Sequence, residues 1–170
     1  MIDVFQEIHN ALKSQCYIAA LALSLTLPDI CSQVENHVAA SNRTLYIDWF
    51  NKHMSTESFD TPFPGFEVQK FTGEMCYSLR CKVLHNGNTD VTNSKLNVLV
   101  DKFVLTKPGS EEYYHGYRYV LDQNNSGSST TTITYIGIDY LCERLCAAAK
   151  TFYAQWSNED DFKSHSIEIK

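Results

Sequence analysis

The stretch Tyr77-Ser-Leu-Arg80-Cys-Lys-Val-Leu-His85-Asn-Gly87 sets an arginine and a histidine five positions apart, just before a turn signal. Arginine is a permanent cation whose planar fork of donors suits a phosphate. Histidine is the side chain that takes or gives a proton near neutral pH. A phosphodiester can be cleaved with these two groups and no metal. His85 would remove a proton from an attacking hydroxyl, and Arg80 would hold the phosphate as charge develops on it. Tyr77 stands one turn before Arg80, where its hydroxyl could donate to the same phosphate.

The segment reads as a helix over about Gly73 to Leu84, capped by Thr72 and stopped at Asn86-Gly87-Asn88. At ~100° per residue, Met75, Cys76, Leu79 and Val83 gather on one apolar face. On a straight helix Arg80 and His85 would point about 140° apart, flanking a seam of Tyr77 and Leu84. Two arrangements bring them together. The helix unwinds near Asn86-Gly87, or the seam meets a second copy of the chain so that both side chains reach one groove.

The spacing resembles the Arg-x4-6-His signature of the HEPN superfamily, whose active members are mostly RNA-cutting enzymes. The resemblance implies a metal-independent endoribonuclease with Arg80 and His85 as catalytic residues, Tyr77 as a substrate-binding residue, and no cofactor. It further implies a homodimer with RNA as substrate, a toxin or phage-defence setting, and an antitoxin or regulatory protein as partner. One departure stands beside the motif: Cys81 fills the place after the arginine where many active members carry Asn, Asp or His. The resemblance also admits a non-catalytic module that binds a protein or nucleotide through the same groove. From the residues alone, a structural reading stands too. Arg80 would pair with an acidic neighbour, and His85 would finish a helix against its terminal carbonyls.

Several elements must position these groups. Val4, Ile8, Ala11 and Leu12 give a one-sided stripe, and beyond Cys16 the chain is apolar all round. The expectation is one long helix from about Asp3 to Leu25, ended by Pro28, with a short helical turn over Asp29 to His37. A second helix follows Ser41 or Asn42 as cap and runs to about Met54. Ser55 to Phe71, with Pro62, Pro64 and Gly65, reads as a loop that packs down through its phenylalanines. Lys95–Thr106, Tyr113–Asp122 and Thr130–Gly137 are rich in β-branched and aromatic residues and read as strands. Turns are expected at Pro108-Gly109-Ser110 and Asn124-Asn125-Ser126-Gly127. A last helix spans about Asp139 to Trp156, capped by Asp139, and the tail from Ser157 frays unless Ile167 and Ile169 join a sheet edge.

The fold class expected is therefore α+β, mainly α, in a single domain. A bundle of about four helices (1–88) is followed by a three-stranded antiparallel meander (95–138) and a closing helix (139–156). The family resemblance leaves the β part unexplained.

The 170 residues suit one core, and a hydrophobic fraction of 44% with 20% charged residues is that of a globular protein. A net charge of −6 excludes a surface that is basic throughout, so any RNA contact must be local. The six cysteines form no Cys-x-x-Cys pair and read as reduced core thiols of a cytoplasmic protein. Zinc at Cys142 and Cys146, which share a helix face, would lack companion ligands, so no metal is expected. Asp3 and Glu7 stand where a secretory signal would be basic, and the apolar run Cys16–Leu27 is shorter than the ~18 residues of a membrane span. Glycine-rich phosphate loops are absent. Glu159-Asp160-Asp161 reads as a solvated run rather than a metal site. Tyr113-Tyr-His-Gly-Tyr-Arg-Tyr119 could stack bases but reads first as half-buried sheet.

Overall fold

A computed structural model describes residues 2–40, 42–57, 70–86, 102–123, 130–156 and 160–163. The phenylalanines at 59, 63 and 66, strand positions 95–101, the turn at 124–127 and the Ile167–Ile169 pairing lie outside the described residues, as does the Gly87-Asn88 half of the expected helix stop.

The chain is mainly helical with a small sheet before its C-terminal helices. Helix α1 spans Ile2–Lys13, and its stripe buries Phe5 and Ile8. The long first helix expected from the sequence is broken. Gln15 takes a left-handed φ of 58°, while Gln15 N–H donates to Leu12 O and Cys16 N–H to Ala11 O at 2.8 Å. That pattern is a Schellman close with glutamine in place of glycine, so no glycine marked it. Helix α2 (Tyr17–Ser24) and helix α3 (Leu27–Asn36) follow almost in line. Pro28 does not end a helix, as expected, but opens one. It sits in the first turn of α3, where its missing N–H costs nothing. Tyr17–Asn36 is long and apolar enough to cross a membrane, with a mean hydropathy of 1.3, but 56% of it is buried in this fold.

Helix α4 (Arg43–His53) is capped by Asn42, whose Oδ1 accepts from Thr44 N–H at 2.8 Å. Helix α5 (Gly73–Cys81) is capped by Thr72 through Met75 N–H. Met75, Cys76 and Leu79 are buried, as the wheel places them. Helix α6 (Ile138–Gln155) packs on α2 and α3, and a short α7 (Asp160–Lys163) buries Phe162. Asp139 does not cap α6. Gly137 occupies the cap position, and the Asp139 carboxylate instead accepts from Tyr113 OH at 2.6 Å. Of the acidic run, Asp161 accepts from Trp156 Nε1–H at 2.9 Å.

The sheet departs from the expected antiparallel meander. Strands β1 (Lys102–Thr106), β2 (Tyr117–Gln123) and β3 (Thr130–Gly137) stand in the order β1-β3-β2, a mixed sheet. β3 pairs parallel with β1 and antiparallel with β2. A meander would need a tight β1–β2 hairpin, but Lys107–Gly116 is far longer than such a turn. β3 is β-branched along most of its length, and its buried Thr134 and Ile136 suit a central strand. The aromatic strand serves packing. Tyr117 is buried and stacks on Phe71 at 4.4 Å between centroids, and the Arg118 guanidinium covers Tyr135.

Helices α4 and α5 touch closely because Gly73 has no side chain. A Cβ there would lie 2.6 Å from Ile47 O and 2.9 Å from Ile47 Cα. Gly73 N–H also donates to Asn51 Oδ1 at 2.8 Å. Gly73→Ala should therefore cost about 1–3 kcal/mol of overpacking, read as a lower midpoint in urea with an unchanged slope. All six cysteines are free thiols, three of them buried. Burial pushes the Cys76 and Cys142 thiols up to about 12 from 9.0. Their neutral form is favoured in the fold, so the stability these two thiols contribute should be fully present below pH 9 and be lost between pH 9 and 12 as the unfolded chain ionises first. Native thiol labelling at pH 8 should accordingly reach the exposed Cys16 long before Cys76 or Cys142.

Candidate functional site

Arg80 leaves the last turn of α5 and runs inward against α3. Its Nε–H donates to Asp29 Oδ2 at 2.5 Å, with 16% of the Arg80 side chain and 8% of the Asp29 side chain exposed. Burial disfavours the guanidinium charge, but Asp29 outweighs that and moves its pKa up, so it stays protonated. Two tyrosines frame it. The guanidinium carbon lies 5.7 Å from the Tyr77 ring centroid and 6.0 Å from that of Tyr46. The rings meet edge to face at 5.3 Å. Tyr46 OH in turn donates to Leu25 O at 3.2 Å and lies 3.3 Å from Cys76 Sγ. Burial, and then Cys76, raise the Tyr46 phenol well above its ordinary range, so it remains a neutral donor.

Tyr77 is half-buried, and burial and then Cys81 raise its phenol. Its ring is shared by two cations, because the Arg43 guanidinium carbon also stands 5.7 Å from its centroid. The residue expected to bind substrate through its hydroxyl is thus a ring contact for two arginines.

Beyond Cys81 the helix widens. Lys82–Asn86 form a π-helical turn in place of the last α-turn expected to Leu84. A π turn closes i→i+5 hydrogen bonds and winds more slowly than an α-helix, so backbone positions five apart draw toward one face. His85 lies within that turn, and Arg80 lies before it in α5. The winding thus changes just ahead of Gly87, near where unwinding was one of the two expected arrangements. The structure describes the backbone of His85 and not its imidazole. Leu84, on the seam, is one of two large exposed hydrophobic residues among those described, the other being Ile18.

Asp29 was legible in the sequence only as a lone carboxylate within an apolar stretch. A buried carboxylate must be paired, and that rule pointed to a basic partner without saying which. Two further polar clusters lie elsewhere. Glu57 is buried and accepts from Arg144 Nη2 at 2.6 Å. Tyr113 OH bridges Asp139 and His115 Nδ1, the latter at 2.9 Å. A cleft of about 690 Å³, lined by Tyr17, Ile18, Leu105, Lys107 and Ile138 among others, includes no residue of α5 or the π turn.

Removing Arg80 takes the ion-pair partner from a buried carboxylate. Arg80→Ala should therefore lose about 3–5 kcal/mol, and Asp29→Asn markedly less, measured by chemical unfolding. Arg80→Lys should fall between them, because an ammonium offers no side-on Nε donor. Comparison with known proteins gives no match: no family model, curated protein or solved structure is significantly similar to the chain.

Proposed function

We propose that this chain is a metal-independent endoribonuclease of the HEPN type, acting as a cytoplasmic homodimer. The observation that carries the reading is the π turn Lys82–Asn86, which begins two residues after Arg80 and contains His85. The exposed Leu84 beside Tyr77 supports a twofold contact along this seam. Arg80 grips the scissile phosphate through its Nη groups while Asp29 fixes the fork from behind through Nε. His85 takes the 2′-hydroxyl proton, the 2′ oxygen attacks phosphorus, and the bond to the 5′ oxygen breaks. The imidazolium of a second copy returns a proton to that oxygen. The products are a 2′,3′-cyclic phosphate and a 5′-hydroxyl. A toxin or phage-defence role, with an antitoxin or regulatory protein as partner, follows from the family resemblance.

A second reading rests on the same ion pair. Asp29 already neutralises Arg80 in a largely buried setting, which is what a structural tie or a non-catalytic binding module would show. Incubation with labelled single-stranded RNA in EDTA separates the two. Wild type should cleave and leave cyclic phosphate ends, and His85→Ala should be slower by about 10²-fold or more while melting normally. An intact wild-type protein that leaves RNA uncut, or a His85→Ala variant that cuts as well, overturns the nuclease.

A further inference from the structure

Arg80 brings little net charge to its surroundings, because Asp29 stands against it. The chain as a whole carries −6. A polyanionic strand approaching this face therefore needs another cation close by. Arg43 fills that position. It opens α4, where the Asn42 cap fixes the backbone, and its side chain is exposed. Among the described residues it forms no ion pair. Its guanidinium carbon and that of Arg80 each lie 5.7 Å from the Tyr77 centroid, so they are no more than twice that distance apart. Tyr46 packs against the edge of the same ring and holds it. Two helices thus bring two guanidinium groups against one aromatic ring.

We propose that Arg43, Tyr77 and Arg80 form a binding site for the phosphate backbone of single-stranded nucleic acid, with Arg43 supplying the net attraction. The identification of the strand as RNA rests on the nuclease reading above. A strand offers several phosphates to the two guanidinium groups, and so more opposing charge than a lone phosphate. Tyr77 acts as a positioning residue: its ring orients both cations by cation–π contact, and its hydroxyl is dispensable.

The test uses a labelled single-stranded DNA, which lacks the 2′-hydroxyl and cannot be cut by the proposed route. Binding is followed by fluorescence anisotropy over a salt series. Arg43→Ala should weaken binding about tenfold and reduce the salt slope by roughly 0.7, the loss of one phosphate contact on a single strand. Tyr77→Ala should weaken it similarly, and Tyr77→Phe should bind like wild type. Inorganic phosphate should compete only at concentrations that salt alone explains. Arg43 is exposed, so its variant should keep the wild-type melting temperature, which is checked first. Wild type that fails to bind, Arg43→Ala with unchanged affinity and slope, or full competition by inorganic phosphate each overturns the site. Binding that follows this pattern with no cleavage of RNA leaves the site standing and removes the nuclease.

Discussion

The ion pair between Arg80 and Asp29 ties helix α5 to helix α3 across residues far apart in sequence. Two charges withdrawn from water are costly, and the pair compensates only when the geometry is good and the remaining polar atoms are engaged. Here two aromatic rings stand against the guanidinium. Tyr46 and Tyr77 shield the guanidinium with ring faces, and Tyr46 OH takes up Leu25 O just ahead of Pro28. Pro28 opens α3 and Asp29 follows it, so the helix start places the carboxylate. The bare backbone of Gly73 lets α5 lie directly on α4, which carries Tyr46. A change at any of these positions is felt at Arg80.

The same constraint shapes the functional reading. A guanidinium held from behind by a carboxylate is rigid, and rigidity suits a group that must meet a phosphate in one geometry. It is also partly neutralised, so attraction must come from elsewhere. Arg43, against the same Tyr77 ring, is the cation that the burial of Arg80 makes necessary. The π turn belongs to this picture as well. A π bulge interrupts a regular helix at some cost and is found often at functional sites. Here it spans Lys82–Asn86 and so includes His85.

Much of the fold was readable from local pattern. The caps at Asn42 and Thr72 report a short polar side chain meeting N–H groups two or three residues on, an interaction complete within one turn. The buried face of α5 follows from period alone. The break after Lys13 was not readable, because Gln15 takes a left-handed conformation normally signalled by glycine. Pro28 misled for a related reason: a proline marks a helix boundary but does not say which side of it. The order of the strands was not readable either, since turn residues after β1 do not reveal which strand returns beside it.

By itself the sequence determined where α4 and α5 start, which helix faces are apolar, where the β-rich segment lies, and that Arg80 and His85 are five positions apart. These depend on neighbours within a turn or two. Tertiary structure alone decided that Asp29 pairs with Arg80, that Tyr77 meets both Arg80 and Arg43, and that β3 is central. Such pairings join segments distant along the chain, and their energies come from burial and desolvation, which exist only once the whole core has closed.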